Sequence, residues 1–345
     1  MKNKTIWVLR LGRVAVGIAL GLAIGLSASG FEAAAQELKR DPALVMGPDA
    51  CGECHKSAVA AWKATKHATT FKDLPRRKSA KKIAKNMGIR RLKSNSACLS
   101  CHFTSAEVKG KVKPIAGIAC ESCHGAGKNW IKEHSDYGGK GVTKESEPPD
   151  HAKARYVKSE AAGMIRPGNL YEVAANCYGC HTVPNEKLVN VGGHAAGSKF
   201  ELVSWSQGEV RHNVWYSKEN NGASAARKRM MYIVGKALDL EFALRGIAKA
   251  TQKATYAVAM AKRASAAGKA MKKIAAAVKT PEIEAIVATA NGVKLKLNNS
   301  ANLTAAADKI GAQAKKFSRA HDGSKFAAVD ALLPGADKYK GKPAP

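Results

Sequence analysis

The chain has 345 residues, room for one large domain or two ordinary ones, and carries a formal charge of +30. An apolar content of 45% excludes a disordered polycation, and eight cysteines are too few for a disulfide-dense miniature fold. Aromatic residues make up only 6%, so something besides Phe, Tyr and Trp has to fill the interior.

Lys2, Lys4, Arg10 and Arg13 precede an apolar run from Val14 to Ser27, and the small residues Ala33, Ala34 and Ala35 follow. Basic start, short apolar centre and small-residue exit predict a cleavable export signal over residues 1–35 and a periplasmic destination. Arg10 and Arg13 are not adjacent, which favours the Sec route over a twin-arginine one. The alternative is an uncleaved N-terminal anchor, for which the apolar run is short. Without the signal the formal charge is +27. Export argues against nucleic acid as a partner, leaving acidic protein surfaces or an anionic membrane surface.

All eight cysteines fall in four C-x-x-C-H motifs. These are Cys51 and Cys54 with His55, Cys98 and Cys101 with His102, Cys120 and Cys123 with His124, and Cys177 and Cys180 with His181. Two thiols at this spacing can each form a thioether with one haem vinyl group, and the next residue then lies beneath the ring as an axial ligand. The motifs predict four covalently bound haem c groups. Structural zinc sites or redox-active disulfides are the alternatives. Neither explains why a histidine follows the second cysteine every time. Four porphyrins would also replace the missing aromatic side chains. Between Cys51 and His212 the expectation is short helices and loops wrapped around cofactors, with little sheet. Gly117, Gly125, Gly127, Pro148, Pro149 and Pro167 punctuate that stretch.

Six histidines lie outside the motifs. An electron-transfer haem usually takes a second strong ligand, whereas an open sixth position invites small molecules. His67, twelve residues beyond His55, and His134, ten beyond His124, are candidates for the second axial face. So are His194, after Gly192 and Gly193, and His212. His151 follows Pro148-Pro149-Asp150 and reads as solvated, and His321 as structural. Met46, Met87 and Met164 are minority ligand candidates, since Met is more often packing material.

Cys51-Gly-Glu-Cys54-His55-Lys-Ser with Trp62 and His67, then Gly117-Ile-Ala-Cys120-Glu-Ser-Cys123-His124-Gly-Ala-Gly-Lys-Asn and His134, resembles the tetrahaem cytochrome c-554 family. The resemblance covers about residues 48–215. It implies a soluble, mostly helical periplasmic electron carrier with closely packed haems, associated with ammonia oxidation. It also implies an octahaem hydroxylamine oxidoreductase as donor and a membrane cytochrome as acceptor. Carried over by motif, His67 and His134 are distal ligands of the fourth and first haems, and His212 or His194 supplies a third. In that family the second haem lacks a distal histidine. This chain departs there, offering two histidines after Cys180 where the pattern needs one, which leaves the haem on His102 either open or closed.

Residues 217–345 contain no Cys and one His. Met230, Ile233, Ala237, Leu240, Leu244 and Ile247 recur at three- and four-residue steps, the stripe of an amphipathic helix. Further helices are predicted over about Tyr256 to Val278, after Pro281, and over about Ala301 to Ala320. Val293, Leu295 and Leu297 alternate with Lys, a weak strand signal with an extended link as the alternative, and the final Pro-containing tail reads as loose. The organisation expected is a signal (1–35), a tetrahaem domain (36–216) and a basic Ala/Lys-rich helical domain (217–345). The fold class is mainly α, with haems as the core of the first domain and a bundle-like second one.

The function these features favour is electron transfer between redox partners, in nitrogen-compound oxidation or anaerobic respiration, with no catalytic residue required. The alternative is an oxidoreductase acting on nitric oxide, nitrite or hydroxylamine at an open iron. A third reading makes the helical half a basic docking scaffold. Phosphate-loop, zinc-peptidase and serine-hydrolase motifs are absent from the sequence.

Overall fold

In the computed structural model, residues 40–94, 96–214 and 219–345 are described. The predicted export signal and the expected boundary at residue 217 lie outside them. Helices carry nearly all the regular structure, so the chain is mainly α. Among the described residues no helix is long and apolar enough to cross a membrane.

The motif-bearing half is a string of short helices. α1 (Pro48–Gly52), α2 (Lys56–Lys63), α3 (Lys66–Asp73) and α4 (Lys78–Asn86) follow one another closely. The Thr65 hydroxyl caps α3 by accepting from the Ala68 amide at 3.3 Å. α5 (Leu99–His102) runs into a hairpin of β1 (Thr104–Val108) and β2 (Lys111–Ala116), paired antiparallel. Lys109 and Gly110, at φ 53° and 68°, make the tight turn whose twist suits a two-residue hairpin loop. This is the only sheet among the described residues. α6 (Cys120–His124), α7 (Pro149–Ala161), α8 (Leu170–His181), α9 (Glu186–Asn190) and α10 (Leu202–Ser206) complete this half.

The second half is built on four long helices: α11 (Ala225–Lys249), α12 (Thr255–Ala277), α13 (Pro281–Gly292) and α14 (Ser300–Ala320). Ser224 caps α11, and Thr280 with Pro281 at the first helical position starts α13. The whole Met230–Ile247 stripe is buried, facing Met260, Met271 and Ile274 of α12 and Leu303, Ile310 and Phe317 of α14. Leu170, Ala174 and Tyr178, one turn apart on α8, belong to the same core. The helix that carries the fourth motif is therefore also a wall of the bundle.

Residues 293–297 take the extended-link reading rather than the strand: among the described residues no strand pairs with them, and Val293 and Leu297 pack against the bundle from an irregular link. One expectation is corrected. The C-terminal tail is tied down. Phe326 and Val329 are buried, the Lys340 amide donates to Ser204 O (2.9 Å), and Lys340 O accepts from the Glu209 amide (2.9 Å). Ala344 O accepts from Asn220 Nδ2 at 2.7 Å.

Candidate functional site

Each motif histidine faces one histidine from outside the motifs. His55 lies across from His134, His67 from His181, His102 from His194 and His124 from His212, with ring centres 6.3, 6.2, 6.3 and 6.3 Å apart. The two remaining histidines stay out of this pattern. His151 keeps its side chain 36% exposed, as a solvated reading expects, while its Nδ1 bonds the buried Glu147 Oε1 at 2.7 Å beside Arg155. His321 packs between Phe317 and Phe326. Among the methionines, Met87 sits against Gly192, two residues before His194, and Met46 against Gly127.

The chain orients these rings through their second nitrogen. Nδ1 of His124 bonds Ile165 O (2.9 Å), that of His134 Ile131 O (2.6 Å), that of His194 Ala195 O (2.8 Å) and that of His212 Val210 O (2.8 Å). His181 Nδ1 bonds the Ser198 hydroxyl at 3.0 Å. A proton fixed on Nδ1 leaves Nε2 with its lone pair available, as a metal ligand requires. Burial pushes His55, His67, His124 and His134 below the ordinary imidazole value. Burial, with His194, Arg77 and His67 nearby, takes His102 down to about 4. Neutral imidazoles are what a metal needs.

Local packing puts each histidine in place. His67 is in the first turn of α3, and its carbonyl accepts from the Ile118 amide at 2.9 Å. Gly117 makes that approach possible, since a Cβ there would come within 2.1 Å of His67 O. Trp62 Nε1 donates to Ile118 O at 2.7 Å, fixing the same contact from α2. The Thr70 hydroxyl lies 2.8 Å from His67 O and 3.1 Å from His102 O, joining the second and fourth sites. Gly125, at φ 88°, lets the end of α6 meet Gly163 O.

The cysteines are not uniformly presented. Cys54 is exposed, whereas Cys98 is buried in a small apolar cluster with Leu74, Leu99 and Phe103. Cys101 is half-buried, and its Sγ shares a hydrogen bond with the hydroxyl of its neighbour Ser100 at 3.7 Å. Cys51 Sγ donates to Gly47 O (3.8 Å) and Cys177 Sγ to Val173 O (3.7 Å). A thioether sulfur has no proton to give. Attachment would therefore end the bonds that Cys51 and Cys177 donate and leave Cys101 able only to accept from Ser100.

The sequence reading missed Glu121. This side chain, 1% exposed, accepts from the amides of Met46 (2.9 Å), Gly47 (2.7 Å) and Gly127 (2.7 Å). It ties the approach to the first motif onto the third. Its place inside C-E-S-C-H was visible, but its distant amide partners were not.

The four motifs lie against one another. The thiols of Cys51 and Cys120 are near enough to shift each other, the first up and the second down. Cys180 Sγ approaches Ser100 O, between Cys98 and Cys101 of the second motif, at 3.9 Å. Asn176 Nδ2 donates to Cys123 O (3.0 Å), and Arg40 bridges Glu121 O (3.1 Å) to Asn176 Oδ1 (2.8 Å). First touches third, third touches fourth, fourth touches second, and Thr104, two residues past His102, meets Ser122 of the third at 2.9 Å.

These residues fit haem. A metal–imidazole bond is about 2.0–2.1 Å, so two imidazoles on opposite sides of one iron have ring centres about 6 Å apart. Among the described residues no three of His, Cys, Asp and Glu gather to hold a bare metal ion. Two-ligand sites suit an iron already held by four porphyrin nitrogens. The eight cysteines stand as thiols, none in a disulfide, as vinyl attachment needs. Trp130 Nε1, beside His134, and Arg211 Nε, beside His212, are buried donors with no protein acceptor, suited to a propionate oxygen.

Comparison with known proteins agrees with the motifs. Residues 50–125 match the family described as cytochrome c554 and c-prime. The chain is 28% identical over 143 residues to cytochrome c-554 of Nitrosomonas europaea, a stretch covering 39% of this chain and 56% of that relative. The match thus spans little more than half of the relative's length. No solved structure matches the chain.

Proposed function

We propose that the chain is a periplasmic tetrahaem c-type cytochrome that carries electrons between redox proteins. It would hold four covalent haem c groups through Cys51 with Cys54, Cys98 with Cys101, Cys120 with Cys123 and Cys177 with Cys180. His55 with His134, His102 with His194, His124 with His212 and His181 with His67 would supply the axial ligands. The observation that carries the reading is the pairing of all eight histidines at one separation, 6.2–6.3 Å. Bound haem supplies a one-electron iron couple. The chain's own residues hold the rings opposite one another, favour the neutral form of His55, His67, His102, His124 and His134 through burial, and set the motifs in contact.

Two strong ligands at every site favour electron transfer over small-molecule chemistry at an open iron. The likeness to cytochrome c-554 supports a place in nitrogen-compound oxidation, with an octahaem hydroxylamine oxidoreductase-like donor and a membrane cytochrome acceptor. The +30 charge supports partners with acidic surfaces. The helical half, residues 217–345, serves as a frame. Glu186 on α9, ahead of His194, accepts from the Thr251 amide (2.9 Å), and the tail pins the loop bearing His212.

The test is expression with a haem-attachment system, followed by mass measurement and a reductive titration. Four haem masses and four one-electron steps are expected. Fewer haems, or zinc in their place, would overturn the reading.

A further inference from the structure

We infer that the exposed face of α4 and its flanks is the docking surface for an acidic redox protein, which exchanges electrons at the His102–His194 site. The inference rests on the carrier reading above and adds a place on the molecule and the site at which electrons are exchanged.

Between Lys72 and Lys93 the chain has ten Lys and Arg and one acid, Asp73. Lys72, Arg76, Arg77, Lys78, Lys81, Lys82, Lys85, Arg90 and Arg91 are exposed. Among the described residues none of them forms an ion pair with a carboxylate, whereas the arginines and lysines of the helical half repeatedly do, as in Arg229–Asp330, Arg245–Asp308 and Lys315–Glu172. Ala80 and Ala84 bury the opposite side of α4, so the charges gather on one face.

That face sits at the second site. Asn86 Nδ2 donates to Gly192 O at 3.1 Å, and Met87 packs against Gly192, so the end of α4 carries the loop that presents His194. Arg77 lies near enough to His102 to act on its charge. The first site, at His55 and His134, is mixed in charge: Asp49, Glu53 and Asp136 stand among Lys56, Lys132 and Lys140, all exposed. Of these two sites only the second therefore has a field of one sign, of the kind that steers an oppositely charged protein into contact. An anionic membrane is less suited, because Ile83, Met87 and Ile89 are half-buried and Val191 is the one large apolar side chain bordering the face that is exposed.

The experiment places the holoprotein on gold carrying a carboxylate-terminated monolayer, a stand-in for an acidic partner. Adsorbed mass and the interfacial electron-transfer rate are read at low and high salt. One variant combines Lys78→Glu, Lys81→Glu, Lys82→Glu and Lys85→Glu. A control makes the same charge change on α12 with Lys262→Glu, Lys269→Glu, Lys272→Glu and Lys273→Glu, all exposed. The α4 variant should lose about tenfold or more of both mass and rate at low salt, and the α12 variant should stay near wild type. Equal behaviour of the two variants, or a larger loss on α12, overturns the inference. So does wild-type binding to phosphatidylcholine–phosphatidylglycerol vesicles, lost in the α4 variant, if the monolayer binding survives in that variant. Absence of any haem wave on every surface would instead sink the carrier reading, while adsorbed mass would still decide whether α4 docks.

Discussion

The imidazole of His194 lies across from that of His102, ring centres 6.3 Å apart and planes tilted by 47°. The resemblance to the cytochrome c-554 family implied a second haem without a distal histidine, and this pair departs from that expectation. His194 is reached through α9, capped by Asn185, and its amide donates to Leu188 O at 3.1 Å. The holoprotein should be wholly low-spin and indifferent to carbon monoxide and nitric oxide. Replacing His194 by Ala should create one high-spin haem that binds carbon monoxide, read by electron paramagnetic resonance and difference spectra. A high-spin signal in the wild type, or a variant without one, would contradict the pairing.

How much of this could be read in advance follows from what each feature depends on. The Met230–Ile247 stripe was legible because helix burial repeats every three or four residues, and the whole stripe is buried. Val293, Leu295 and Leu297 mimicked a strand because an irregular link can also alternate packed and open side chains. The motifs were legible as local spacing. The surroundings of each thiol were not: spacing alone does not tell the exposed Cys54 from the buried Cys98 or from Cys101 against Ser100. The resemblance assigned His67 to the fourth motif and His134 to the first, but the partner of His102 was hidden, because His102 and His194 meet through contacts between α4, α9 and the following loop. The hold of the helical half on the sites was equally hidden, since Arg263 and Lys340 carry no local mark of it.

Arg263 on α12 donates to Ser198 O at 3.0 Å and pairs with Asp239 on α11, while the Ser198 hydroxyl bonds His181 Nδ1. Burial pushes the Asp239 carboxyl up, and Arg263 opposes that shift. An acceptor on Nδ1 makes an imidazole a better electron donor to its metal and so favours the oxidised iron. Replacing Ser198 by Ala should raise the midpoint potential of one haem, by about 59 mV for each tenfold change in the oxidised-to-reduced preference. Arg263→Gln should move the same haem by loosening Ser198 and leaving Asp239 unpaired, and Arg263→Lys should restore part of the shift. Spectropotentiometry that finds all four potentials unmoved in Ser198→Ala would remove this role.

Glu121 satisfies three amides from two loops in a site almost closed to water. Leaving a buried donor unpaired costs about 1–3 kcal/mol, more where the lost acceptor is charged. Glu121→Ala should therefore destabilise the holoprotein by about 3 kcal/mol or more in denaturant unfolding. Glu121→Gln should fall between the two, because it keeps one acceptor oxygen and turns an amide group toward the other donors. A loss under about 0.5 kcal/mol for the Ala variant would mean that solvent replaces the carboxylate at little cost.

Arg155 bridges Glu147 to the backbone of His134, donating to His134 O at 2.7 Å. The hydrogen bond from Arg155, opposed by desolvation and reinforced by His151, holds the Glu147 carboxyl down to about 2, against an ordinary value of 4.5. A carboxyl whose value is lowered on folding stabilises the folded state above its ordinary value, and that contribution fades as pH falls toward the lowered one. Acidification from about pH 4.5 to about 2 should thus release Arg155 and loosen His134. The first site should change before the others, as a partial low- to high-spin conversion alongside unchanged helical circular dichroism. Glu147→Gln cannot carry the charge at any pH, so its first site should be loosened already at neutral pH and lose this acid-dependent step. A variant that keeps the wild-type acid profile would show that the Glu147–Arg155 pair does not hold His134.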